Sequence, residues 1–273
     1  MEIERLRAVV RRAVNVGKVA RLKRECAQEF GSGSFYVGDR AGIEAKLNRA
    51  LLSLWVAYQP IVRASDSTRF GYEALMRSEE PMLPHPLAVL KAAEKVRRVH
   101  DVGRAVRELV APDADRASLA GHLVFVNLHP EDLMDPLLYL PSAPLTRLAP
   151  SIVLELTDRG SLEEVDDVTE RFQRLRALGY RIAIDDLGAG SGDPVMLNQL
   201  EPDFVKLDLA LTRGIDVEPA KAKIVQAIVR LCHEMSVEVV AKGVETVGQH
   251  DTLVAAGCDF LQGYLFGRPS RLA

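Results

Sequence analysis

Eight short apolar runs follow one another from Leu54 onward, and their number and spacing constrain the fold more than any other feature. They are Val56 to Ile61, Gly71 to Met76, Leu123 to Leu128, Ile152 to Leu156, Arg181 to Asp185, Phe204 to Leu207, Glu238 to Ala241 and Phe260 to Leu265. Runs of this length, rich in Val, Ile and Leu, read as strands buried on both faces. Helical candidates separate them at Pro86 to Val110, Leu162 to Leu178, Pro219 to Met235 and Val247 to Ala256, with Gly179 and Gly257 where helix C-caps fall. Alternation of strand and helix through eight strands predicts an α/β fold, a TIM-like (β/α)8 barrel. Only Val62 to Phe70 joins the first two runs. That is too short for a helical crossover, so the first strand is expected to run antiparallel to its neighbour.

The 273 residues are 48% hydrophobic, enough for one large core. Three segments are expected: an amphipathic helix over 1–30, a connector over 31–53 and the barrel over 54–273. In the first, Ile3, Leu6, Val10, Ala13 and Ala20 recur at helical steps, and eight Lys/Arg face four Asp/Glu before the break at Gly31-Ser32-Gly33-Ser34. Such a helix either packs on its own domain or serves as an arm for a signalling protein partner. A net charge of -3, and no aromatic side chains interleaved with the N-terminal bases, argue against nucleic acid as a partner. The longest apolar stretch, Ala50 to Tyr58, falls far short of the roughly 20 residues a bilayer span needs. No cationic-then-apolar leader opens the chain. Cys26, Cys232 and Cys258 form no CxxC pair, which suits a reducing compartment. The expectation is a soluble, cytoplasmic protein with no membrane partner.

In a barrel the chemistry stands at the C-terminal ends of strands. Read that way, successive runs deliver Glu73, Asn127, Glu155, the pair Asp185-Asp186, Lys206, Lys242 and Gln262 from otherwise apolar segments. Four carboxylates on neighbouring strands would repel one another without cations. The set holds oxygen donors and no Cys or His, which selects hard ions such as Mg²⁺ or Mn²⁺ over zinc. Gly188 and Gly190 do not make a dinucleotide loop, because Asp193 falls where the third glycine belongs.

These residues carry a resemblance. Gln59-Pro60-Ile61, Glu73-Ala74-Leu75-Met76-Arg77, Phe125-Val126-Asn127-Leu128, Glu155-Leu156-Thr157, Ile184-Asp185-Asp186-Leu187-Gly188, Val205-Lys206-Leu207-Asp208, Gly243-Val244-Glu245-Thr246 and Gln262 through Pro269 together resemble the EAL domain, the bacterial phosphodiesterase family for cyclic di-GMP. The resemblance implies that cyclic di-GMP lies across the barrel mouth and is hydrolysed to linear pGpG by a water held between two divalent cations. It assigns Glu73, Asn127, Glu155 and Asp185 as metal ligands, with Asp186 serving the second ion, and Lys206 as the group that orients or polarises the water. Gln59, Leu75, Arg77, Asp208, Glu245 and Gln262 would contact the nucleotide, with Arg77 meeting a phosphate oxygen through its planar fork. The N-terminal helix resembles the last helix of a receiver domain running into a linker, and pairing of two copies through the barrel flank is a further implication.

Three positions depart from the family pattern. Lys242 stands where the family has a Glu assigned to the second metal and to base catalysis. Asp158 replaces a Glu, and the loop Gly188 to Pro194 lacks the aromatic and serine residues of active members. An ammonium about 4 Å from a divalent ion is repelled by roughly 8 kcal/mol at an effective dielectric of about 20. Either Lys242 turns to solvent or one ion is lost, and in both cases the family's base is missing. The expectation is therefore a cyclic di-GMP-binding domain with impaired or absent hydrolysis, holding one Mg²⁺ or Mn²⁺ rather than two. A working phosphodiesterase with a substitute carboxylate and a nucleotide-independent scaffold are the alternatives.

Overall fold

A computed structural model describes residues 40–116, 119–156, 162, 165–188, 197 and 200–272. The N-terminal helix expected over 1–30, Asp158 and the loop 189–196 lie outside the described residues. Eight strands close into a barrel in chain order: β1 Leu54–Arg63, β2 Arg69–Ser78, β3 Leu123–Leu128, β4 Ile152–Leu156, β5 Arg181–Leu187, β6 Phe204–Leu207, β7 Glu238–Ala241 and β8 Phe260–Gln262. β1 pairs antiparallel with both β2 and β8, and every other neighbour is parallel. The helices are α1 Arg40–Leu52, α2 Pro86–Val96, α3 Val99–Ala114, α4 Val168–Ala177, the short α5 Leu209–Thr212, α6 Pro219–Glu234 and α7 Val247–Ala255. None of them is long and apolar enough to cross a membrane.

Several limits differ from the sequence expectation. β8 stops at Gln262 because a turn follows, in which the amides of Phe266 and Gly267 donate to the Gly263 carbonyl. The single helix expected over Pro86 to Val110 is two: Arg97 adopts a left-handed φ of 60° and its amide donates back to Ala93 and Glu94, which ends α2 and re-aims the chain into α3. α1 occupies the segment read as a connector, and buries Leu47 and Ala50 against Val89, Ala93 and Val96 of α2.

Inside the barrel, Ile61, Phe125, Val153, Ala183, Phe204, Val240 and Phe260 form one buried layer, with Phe70 stacked on Phe260. Fully burying a large apolar side chain stabilises the fold by roughly 1.5–3 kcal/mol. Side chains on a strand alternate faces, so residues two apart share one. Two positions toward the mouth from each member of this layer stand Gln59, Asn127, Glu155, Asp185, Lys206, Lys242 and Gln262. The apolar layer is thus the floor on which the polar site rests. On β2 the floor position is Gly71, where a Cβ would lie 2.5 Å from the Leu123 carbonyl oxygen, and Glu73 stands above it.

Candidate functional site

The register brings the polar ends of the strands together. Gln59 pairs with Glu73 across β1 and β2, and Asn127 with Glu155 across β3 and β4. The Lys206 ammonium has no exposed surface and donates to Glu73 Oε2 at 2.8 Å and Glu155 Oε2 at 2.9 Å. The Gln262 amide donates to the same Glu73 oxygen at 2.6 Å and to Gln59 Oε1 at 3.2 Å, and Asn127 Nδ2 donates to Glu73 Oε1 at 3.2 Å. Glu73 is therefore the hub, bonded from β3, β6 and β8.

Lys242, from the end of β7, donates to Asp185 Oδ1 and, at 2.7 Å, to Asp186 Oδ1. Its side chain is only 18% exposed, which excludes the solvent-directed alternative. The Asp185-Asp186 step lies where the β5–β6 register shifts. Asp186 takes a left-handed φ of 54°, and its amide donates to Asp185 Oδ1 at 2.7 Å. Asp is among the few side chains that tolerate this conformation, and the irregularity aims successive carboxylates at one ammonium.

Electrostatics follow from this packing. Burial alone pushes the Glu73 carboxyl up, but the charge and hydrogen bond of Lys206, helped by Gln262, hold it down at about 2. Burial keeps Glu155 well above the usual carboxylate range against the pull of Lys206, with Glu73 and Asp185 adding to the rise. Glu73 is thus the firmly ionised partner of the two that share Lys206. For Lys206, burial favours the neutral amine, but Glu155, Glu73 and Asp185 outweigh it and raise its pKa. Lys242 is raised as well, with burial and Lys206 opposed by Asp185 and Asp186. Both lysines are therefore cations.

The remaining candidates surround this centre. Leu75 and Arg77 share the mouth-facing side of β2 with Glu73, and the Arg77 guanidinium donates to the Met76 carbonyl at 2.9 Å. Asp208 accepts from the Ala210 amide at 2.7 Å as the cap of α5. Glu245 is exposed, its backbone amide donating to Gln249. One partner escaped the sequence reading: the Gly267 carbonyl, which accepts from Gln59 Nε2 at 3.3 Å and ties the turn after β8 to β1. Its only sequence signal was membership of the Gln262–Pro269 motif. Among the described residues no three His, Cys, Asp or Glu side chains form a preassembled metal cage; an ammonium stands in each carboxylate pair instead.

Comparison with known proteins gives a consistent picture. The EAL domain model matches residues 44–269. A bifunctional diguanylate cyclase/cyclic di-GMP phosphodiesterase, MucR of Pseudomonas aeruginosa, is 33% identical over 224 residues, 78% of this chain and 32% of its own. Among solved structures, Klebsiella pneumoniae BlrP1 in a calcium and cyclic di-GMP complex is 29% identical with a TM-score of 0.69, covering 80% of this chain and 56% of that one. The MucR phosphodiesterase in complex with cyclic di-GMP is 28% identical with a TM-score of 0.69, covering 84% and 97%. The chain spans between 27% and 44% of the length of four curated relatives. NbdA of Pseudomonas aeruginosa, 31% identical, is named a cyclic di-GMP phosphodiesterase, and BlrP1 is seen in complexes that hold cyclic di-GMP with calcium or with manganese. With a matching domain model over most of its length, the strand-end residues in register and a shared barrel, this chain belongs to the EAL domain family.

Proposed function

We propose that this chain binds cyclic di-GMP across the mouth of its barrel and hydrolyses it to pGpG poorly or not at all. The observation that carries this reading is the Lys242 ammonium bonded to both Asp185 and Asp186. Gln59, Leu75, Arg77, Asp208, Glu245 and Gln262 are the nucleotide contacts, with the Arg77 fork turned to a phosphate oxygen. Glu73, Asn127, Glu155 and Asp185 would hold one Mg²⁺ or Mn²⁺. The residues fit that ion: the donors are all oxygen, and Glu155 Oε1 is buried with no hydrogen-bond partner, an orphan that a hard cation satisfies. When bound, the ion supplies a water of lowered pKa and neutralises charge on the phosphoryl group.

A second ion does not fit beside it: the Lys242 ammonium takes both Asp185 Oδ1 and Asp186 Oδ1, whereas the first ion has the unpartnered Glu155 Oε1. With Glu155 giving up its proton as the ion binds, four carboxylates against two lysines leave two negative charges, which one divalent cation balances. Lys206 neutralises and orients Glu73 and Glu155, Gln262 fixes Glu73 relative to Gln59, and Lys242 clamps the end of β5. None of these groups replaces the base that the family has at position 242. On the same reading the basic segment 1–30 is where a signalling protein partner would bind. The intact Glu73, Asn127, Glu155 and Lys206 cluster supports a second reading, a phosphodiesterase that retains turnover.

The test is to incubate the purified chain with cyclic di-GMP and Mg²⁺ or Mn²⁺, follow pGpG, and measure binding in parallel, with Lys242→Glu alongside. Binding without turnover, and turnover gained on Lys242→Glu, is expected. Turnover by the unmodified chain at rates usual for the family would overturn the reading. Loss of binding with both metals would leave only a scaffold.

A further inference from the structure

Cyclic di-GMP presents two guanine rings, yet the side chains assigned to it are polar apart from Leu75. Trp55 lies four residues before Gln59 on β1 and therefore on the same face; it pairs directly with Arg77 of β2. That face lines the mouth, whereas Val56 and Tyr58, on the other, pack into the outer core. The ring is half-buried. The Arg271 guanidinium lies over it, 4.3 Å from the ring centroid, and is ion-paired with Glu79 at 2.8 Å. The tail that carries Arg271 is fixed to β1 by paired bonds between Tyr58 and Ser270, at 2.7 and 3.1 Å. An indole held from one side by a tethered cation is a preorganised stacking surface, losing little freedom when a planar ring meets it.

We infer that Trp55 stacks on one guanine of the bound nucleotide and that Arg271 and Glu79 hold its ring in place for this. The inference rests on the nucleotide binding proposed above and adds to it a residue that discriminates purine rings from smaller groups. Trp55 is the single tryptophan of the chain, so the emission of the unmodified protein reports on this ring alone. Cyclic di-GMP is titrated while tryptophan emission and heat of binding are followed in parallel. Quenching that saturates with the Kd given by the heat is expected. Trp55→Ala should raise the calorimetric Kd roughly tenfold, within the range that base–aromatic stacking contributes, and Trp55→Phe should raise it less. Heat of binding with unchanged emission, or an unchanged Kd in folded Trp55→Ala, would overturn the role of Trp55 and leave nucleotide binding standing. Absence of both heat and quenching would overturn both.

Discussion

Lys206 holds a positive charge with no surface in contact with solvent, and Glu73 and Glu155, with Asp185 nearby, make that tolerable. Removing one partner of such a group leaves the others uncompensated in a poorly solvated place. Lys206→Ala is expected to lower unfolding free energy by about 3–5 kcal/mol in chelator, read from urea denaturation; a loss below about 1 kcal/mol would mean that water or rearrangement already screens the two carboxylates. The sequence marks Glu73, Asn127, Glu155 and Lys206 individually, since each interrupts an apolar run at a strand end. It does not mark their pairing: Lys206 reaches Glu73 across 133 residues and Glu155 across 51, and only the barrel register sets that. The same holds for Lys242, whose place in the sequence leaves a solvent-directed side chain open and whose bonds to Asp185 and Asp186 in the barrel resolve the choice.

At the scale of elements, close backbone approach governs how the mouth is built. Gly263 follows the end of β8, and a Cβ there would lie 2.0 Å from the Val244 carbonyl oxygen and 2.3 Å from its nitrogen. Backbone atoms cannot yield as a flexible side chain does, so Gly263→Ala must separate β8 from the turn after β7. A destabilisation of about 1–3 kcal/mol is expected from thermal or urea unfolding, with weaker cyclic di-GMP binding because Gln262 moves off Glu73. An unaltered unfolding midpoint would show that the two segments are looser than this contact implies. Element limits were legible where apolar runs end abruptly: β3, β4, β6 and β7 lie where the composition puts them. They were not legible at Arg97, because a left-handed non-glycine residue leaves no compositional trace, nor in α1, whose Ile43, Leu47 and Ala50 repeat is brief and set among charged residues.

For the whole molecule, the closed barrel with its reversed first strand followed from strand count and one short connection. Closure also brings Glu73, Glu155, Asp185 and Asp186 together with Lys206 and Lys242 at the mouth. In the proposed function the loss of turnover depends on one residue, Lys242, at the end of β7. The direct measurement is the number of Mn²⁺ ions bound per chain at saturating cyclic di-GMP, by calorimetry or by counting free ion. One ion is expected for the unmodified protein and two for Lys242→Glu. Two ions bound with Lys242 in place would contradict the view that its ammonium occupies the second cation's position.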